Sequence, residues 1–179
     1  MESALLGVVL DSSIVITAER RGLPVAELVR AIPTAQGEIE VSLSPITVAE
    51  LVHGIYRART AEESQRRRQY IEELVTLVPL HPVTLETAYL VGQIEGPEAT
   101  KGNVLPFNDL LIAAAAIEQG YAVLTENLRH FENPRHPSPE AVAANDTDKK
   151  GRELSTTFRL SPAFQLHSLS KNMVTEELY

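Results

Sequence analysis

Four residues stand at junctions where side-chain chemistry would be exposed: Asp11, Glu50, Asp109 and Asn127. Asp11 directly follows the apolar run Leu5 to Leu10, and Asn127 comes just after Tyr121 to Leu124. Glu50 lies in the first turn of a helical pattern that follows Ile39 to Leu43, and Asp109 starts the apolar stretch Leu110 to Ile117. In an open parallel sheet, ligands bind beyond the carboxyl ends of the strands, where strand order reverses. Carboxylates gathered there repel, and each shifts toward neutrality unless a cation intervenes. A hard divalent ion with oxygen ligands resolves that conflict. Composition points the same way: with no Cys there is no thiolate cluster, Cys nucleophile or disulfide, and any zinc site would have to rely on five scattered His.

Taken singly, each of these residues has a purely structural explanation. Asp11 suits the N-cap of a helix starting at Ser12 or Ser13, and Thr47-x-x-Glu50 reads as a capping box. Asp109 in a first turn compensates the helix dipole, and Asn127 is an ordinary turn residue. Capping and ligation are compatible, because a capping carboxylate still has oxygen lone pairs to offer. The chemistry rests on the combination.

The elements that must bring these residues together follow from periodicity. Leu5 to Leu10 is too short for a helix and reads as a strand buried on both faces. Helices are predicted from Ser12 toward Gly22 and from Pro24 to Ile32, and Ile39, Val41 and Leu43 alternate with polar residues as a second strand. Val48, Leu51, Val52 and Ile55 keep helical spacing, and Thr60 with Glu63 opens a further helix to about Val75. Val78 to Pro82 reads as a small third strand, Thr84 to about Gln93 as a helix and Gly96 to Pro106 as a loop. Asn108 to Ile117 is apolar almost all round, hence a buried helix closed at Gly120, and Tyr121 to Leu124 is a fourth strand. This order predicts an α/β fold, a three-layer α/β/α sandwich on a central parallel sheet of four or five strands.

The 179 residues carry 24 Asp+Glu against 16 Lys+Arg, a net charge of −8, with 44% apolar residues. That is one soluble-type domain, with the cytoplasm as the expected compartment, since no apolar run reaches the roughly 18 residues of a membrane span. The acidic balance argues against a protein that coats nucleic acid by bulk charge, though it says little about one local site. Periodicity fails after about Pro134. Residues 1–133 are therefore read as the domain and 134–179 as a largely disordered or loosely packed extension, with Phe158 to Leu169 a candidate edge strand.

In their order and with their neighbours, the four segments resemble the PIN-domain ribonucleases, and specifically the VapC-type toxins of toxin–antitoxin pairs. The segments are Val9-Leu10-Asp11-Ser12-Ser13-Ile14-Val15-Ile16, Ser44-Pro45-Ile46-Thr47-Val48-Ala49-Glu50-Leu51, Asn108-Asp109-Leu110-Leu111-Ile112-Ala113-Ala114 and Val123-Leu124-Thr125-Glu126-Asn127-Leu128-Arg129-His130-Phe131. The resemblance implies a Mg²⁺-dependent endoribonuclease, with Mn²⁺ as a substitute. It makes Asp11, Glu50 and Asp109 the acidic cluster, with Asp11 and Asp109 as the principal metal ligands. Asn127 falls where many members carry Asp, which lowers the charge of the site. Glu50 would position or deprotonate the attacking water, and in-line attack would leave a 5′-phosphate and a 3′-hydroxyl.

Thr125 matches a family hydroxyl near the cluster and, with Arg129, is expected at the RNA substrate. The resemblance further implies a cognate VapB-like antitoxin and pairing of two copies. An apolar groove between Val48 to Ala58 and Ile71 to Val75 would suit an antitoxin helix, although core packing explains those positions equally well. Arg66, Arg67 and Arg68 are either a phosphate rail or a solvated face balanced by Glu62, Glu63, Glu72 and Glu73. Family members usually finish soon after the Arg-His-Phe segment with a short fifth strand, whereas here Asn133-Pro134-Arg135-His136-Pro137 replaces the usual lead-in to it.

Two phosphotransfer readings fit less well. A haloacid-dehalogenase-like phosphatase needs a second Asp where Ser13 stands, and a receiver domain wants a Lys soon after the later strand, yet none follows Thr125 before Lys149. The remaining alternative is a catalytically weak PIN-like scaffold that binds protein or RNA.

Overall fold

Asp11 and Ser44 each end a strand and start a helix, and those two turns set the layout of the molecule. The structure is a computed structural model that describes residues 6–32, 39–127 and the backbone of 160–161. Its elements are β1 (Gly7–Leu10), α1 (Ser12–Arg20), α2 (Val25–Ala31), β2 (Glu40–Leu43), α3 (Pro45–Tyr56), α4 (Ala61–Leu77), α5 (Leu85–Thr100), α6 (Phe107–Gln119), β3 (Ala122–Leu124) and β4 (Leu160–Ser161). The sheet order is β2-β1-β3-β4, so β1 is central, and it pairs in parallel with both β2 and β3.

Strand alternation builds the layers. Val8, Leu10, Leu43 and Leu124 point to one face, where Ile14, Val15, Leu28, Leu51 and Leu74 of α1 to α4 pack on them. Val9 and Val123 point to the other face, against Ile112 and Ala116 of α6. Leu90 and Val91 of α5 cover α6 in turn. The fold is therefore the predicted α/β/α sandwich. Gly7 is fixed by space: a Cβ there would lie 2.7 Å from the Tyr121 ring and 2.8 Å from the Glu40 carbonyl. Gly120 ends α6 with φ of 68°, a left-handed C-cap.

Several boundaries differ from the sequence reading. The Val78 to Pro82 strand reduces to a single parallel bridge, Leu80 to Leu43. The predicted edge strand is present as Leu160–Ser161, and it runs antiparallel to β3 in an otherwise parallel sheet. Helix α5 continues through Pro97 to Thr100, where a loop was expected from Gly96. Glu98 closes that end by accepting from Lys101 Nζ at 2.7 Å and Asn103 Nδ2 at 2.6 Å, bonds that hold the last turn despite the proline.

The Thr47–Glu50 capping box does not form. Pro45, whose fixed φ suits the first helical position, starts α3 two residues earlier, and Ser44 provides the cap by accepting from the Ile46 N–H at 3.2 Å. Thr47 is thereby inside the helix, fully buried, and donates to the Leu10 carbonyl at 2.9 Å. Glu50 moves one turn away from the helix start, and its carboxylate is released from capping. Apart from Leu160–Ser161, residues 134–179 lie outside the described residues.

Candidate active site

Asp11 is the pivot. It caps α1, its side chain accepting from the Ser12 N–H at 2.8 Å, while its own N–H donates to the Leu124 carbonyl at 3.0 Å and so ties the end of β1 to the end of β3. Its other oxygen, Oδ2, accepts from Ser13 Oγ at 2.6 Å and from Thr125 Oγ1 at 2.7 Å. Asp11 is only 5% exposed, yet no Lys, Arg or His lies within ion-pair reach of it among the described residues. Among the described residues its side-chain oxygens are met by hydroxyl and amide donors only.

Glu50 is reached from Asp11 through one residue. Ser12 Oγ donates to Glu50 Oε2 at 2.6 Å, while Asn108 Nδ2 donates to Glu50 Oε1 at 2.8 Å. Asn108 is next to Asp109 in the first turn of α6, so β1, α1, α3 and α6 converge on the carboxyl ends of the strands. Asp109 is partly buried there, with Oδ2 shielded from solvent. Thus Asp11 and Glu50 are joined through Ser12, and Asp109 is attached through its neighbour Asn108.

Thr125 is fully buried, and its hydroxyl is committed to Asp11 and to the Asn127 N–H, which donates to it at 2.9 Å. Any service it gives a substrate therefore passes through Asp11. Asn127 is partly buried beside it. Glu126 is exposed as expected, and it accepts from Thr17 Oγ1 at 2.7 Å while its N–H donates to Ser13 Oγ at 3.0 Å. Arg129 lies outside the described residues. Ser12, Ser13 and Asn108 had no assigned role from sequence; the available signal was their position flanking the two acids.

The donor set suits a hard cation. The available donors are carboxylate oxygens, and the buried Asp11 carboxyl has no Lys, Arg or His within ion-pair reach among the described residues. Among the described residues no three carboxylate or imidazole side chains stand together closely enough to cage an ion. Mg²⁺ does not need such a cage, since it keeps several waters and takes one or two protein carboxylates.

From Glu50 a groove of about 540 Å³ runs between α1, α3 and α4. Its floor includes Val15, Leu51 and Ile71, and its rim carries Arg20, Arg57, Arg59, Arg66 and Arg67. Four of these five arginines fall into two groups. Arg66 Nε pairs with Glu19 at 2.9 Å, and Arg67 pairs with Glu63 at 2.6 Å and bonds the Gly54 carbonyl. The Glu19 bond holds the Arg66 guanidinium above its ordinary pKa, and the Arg59 backbone N–H holds the Glu63 carboxyl below its own. Arg20 and Arg57 have no carboxylate within ion-pair reach among the described residues. No helix is long and apolar enough to cross a membrane among the described residues.

A family profile described as PIN domain matches residues 8–136. Ribonuclease VapC1 of Rickettsia felis is 28% identical over 141 residues, covering 79% of this chain and all of that protein. Ribonuclease VapC2 of Haemophilus influenzae is 30% identical over 129 residues, covering 72% of this chain and 92% of that protein. Among solved structures, the DNA-bound VapBC complex from Salmonella typhimurium superposes with a TM-score of 0.59 at 24% identity, over 73% of this chain and 94% of the matched one, a likeness of fold. A profile spanning most of the sequence and a relative covered almost end to end agree, and the chain belongs to the PIN-domain family, among its VapC-type members.

Proposed function

We propose that this protein is a metal-dependent endoribonuclease, the toxin of a VapBC-type pair. The observation that carries the reading is the buried Asp11 carboxylate, held by three neutral donors, uncompensated by any cation among the described residues and joined through Ser12 to Glu50. A structural cap has no need of such company. The relatives named ribonuclease supply the reaction class.

A phosphodiester is a poor electrophile and water a poor nucleophile. Mg²⁺ or Mn²⁺, when bound, supplies the positive charge that acidifies water and neutralises the reacting phosphate. Asp11 and Asp109 would hold that ion, their oxygens being the hard donors it prefers. Glu50 orients the attacking water and accepts its proton at an Oε atom. Thr125 and Ser13 fix the Asp11 carboxylate, and Asn127 braces Thr125 through its backbone N–H. RNA phosphates are drawn along the groove by Arg20 and Arg57, and Arg129, two residues after Asn127 in the sequence, is proposed to add a further phosphate contact.

A VapB-like antitoxin segment seated in the same groove would cover Glu50 and displace the RNA strand. Its apolar side chains would lie on Val15, Leu51 and Ile71 and its acids against Arg20 and Arg57. Two copies of the chain pair through exposed apolar side chains such as Leu77, Leu80, Leu85 and Tyr89.

The test is cleavage of a pool of tRNA and ribosomal RNA by the purified chain with and without Mg²⁺. Cleavage that requires the ion and disappears in Asp11→Asn supports the reading. RNA binding without cleavage by the wild type would favour the scaffold alternative instead.

A further inference from the structure

We infer that Ser12 and Asn108 are positioning residues for Glu50, an assignment that rests on the ribonuclease reading. Glu50 is partly exposed at the mouth of the groove, on a side chain with several rotatable bonds. Left alone it would sample many rotamers. Instead each oxygen receives one hydrogen bond, Oε2 from Ser12 Oγ at 2.6 Å and Oε1 from Asn108 Nδ2 at 2.8 Å. Both lengths are those of charge-assisted bonds to a carboxylate. The donors come from α1 and α6, while Glu50 itself is on α3, so the clamp spans three elements.

Both donors are neutral, and that matters chemically. A Lys or Arg in either place would lock Glu50 into an ion pair and weaken it as a base. A hydroxyl and an amide fix direction and leave the negative charge in place. Each donor also sets Glu50 against a different acid. Ser12 gives its N–H to Asp11 Oδ1 and its Oγ–H to Glu50 Oε2, so the two carboxylates face the two ends of one residue. Asn108 is fixed to Asp109 by the peptide bond and by the first turn of α6. Since no three acids converge directly among the described residues, the geometry of the site is carried by these neutral side chains.

Their role differs from simple fastening of three helices. A fastener would matter whether or not position 50 held a carboxylate. A positioning residue acts through Glu50 alone.

The experiment is a mutant cycle on the full chain, read as single-turnover and steady-state cleavage of the same RNA pool with Mg²⁺. Ser12→Ala and Asn108→Ala should each lower kcat by about tenfold to a hundredfold, the scale of a misplaced catalytic group, with KM changed by less than about twofold. Ser12→Thr, which keeps the hydroxyl, should restore most of the rate. Asn108→Asp, which sets a carboxylate against Glu50, should fall below Asn108→Ala. In the Glu50→Ala background, neither Ser12→Ala nor Asn108→Ala should reduce the residual rate further.

Wild-type kcat in both single variants, or an undiminished effect in the Glu50→Ala background, overturns the assignment. A second readout does not depend on cleavage: in the ¹⁵N-labelled protein, Glu50→Ala should shift the Asn108 side-chain amide resonance. That shift together with a wild type that cleaves no RNA would remove the ribonuclease reading and leave only a structural clamp. A wild type that cleaves, with no shift and no rate loss in the variants, would remove the positioning role alone.

Discussion

Thr125 donates its hydroxyl to Asp11 Oδ2 across 2.7 Å, joining the residue after β3 to the residue after β1 at a point almost closed to solvent. The bond spans two strands paired in parallel, and the Asp11 N–H returns the link to the Leu124 carbonyl. Replacing Thr125 with Val keeps its shape and removes the donor. A buried carboxylate deprived of a hydrogen bond costs about 1–3 kcal/mol, so Thr125→Val should lose that much in urea denaturation and Thr125→Ser much less. Equal stability of wild type and Thr125→Val would show that the bond contributes nothing.

Local pattern revealed much of this arrangement, because strand, turn and helix start are encoded within a few residues of one another. Asp11 as a cap, the buried helix from Asn108 and its Gly120 stop were all readable from alternation, helical period and turn chemistry. Three kinds of feature were not. The start of α3 at Pro45 competed with a second capping pattern at Thr47, and the Ser44 cap together with the Thr47 bond to the Leu10 carbonyl favours the former. The course of α5 past Pro97 depends on bonds that Glu98 makes to residues after the helix ends. The Ser12–Glu50 and Asn108–Glu50 bonds join residues 38 and 58 positions apart, and no local signal specifies them.

Divalent cations should stabilise the fold through the acidic site. An ion that binds only the folded state adds about 2.7 kcal/mol when present at 100 times its dissociation constant. Thermal melting with and without Mg²⁺ should show the wild type gaining and Asp11→Asn and Asp109→Asn losing that gain. Glu50→Gln should keep part of it, because Glu50 is held by Ser12 and Asn108. A wild-type melting curve indifferent to Mg²⁺ and Mn²⁺ would speak against an ion at this site.

Two tyrosines should resist ionisation. Burial, assisted by the charges of Glu73 and Glu19, pushes Tyr70 up to about 12, and it donates to the Leu23 carbonyl at 3.0 Å. Tyr121 is pushed up to about 12 chiefly by its hydrogen bond to Glu40, with burial adding to it. Both shifts favour the protonated form in the folded state. The stability they contribute is complete below the unfolded value of about 10 and is lost as pH rises through the folded value. Spectrophotometric titration of phenolate should show a late phase that shrinks in Tyr70→Phe and in Tyr121→Phe.

The groove arginines should divide by function as they divide by partner. Arg66 and Arg67 tie α4 to Glu19 of α1 and to Glu63, and the Glu19 side chain is only 8% exposed. Removing either arginine leaves that carboxylate short of a cation inside the groove wall, so Arg66→Ala and Arg67→Ala should lower the melting temperature. Arg20 and Arg57 hold no such pair among the described residues and open onto the same groove, which leaves their charge available to phosphate. Taking away one arginine that neutralises a phosphate reduces the slope of log binding constant against log salt by about 0.7 for a single strand. Arg20→Ala and Arg57→Ala should therefore bind single-stranded RNA more weakly and with a shallower salt dependence, at unchanged melting temperature. If instead Arg66→Ala and Arg67→Ala changed the salt slope and Arg20→Ala and Arg57→Ala did not, the phosphate path would run over α4, and the ion pairs with Glu19 and Glu63 would have to open to admit RNA.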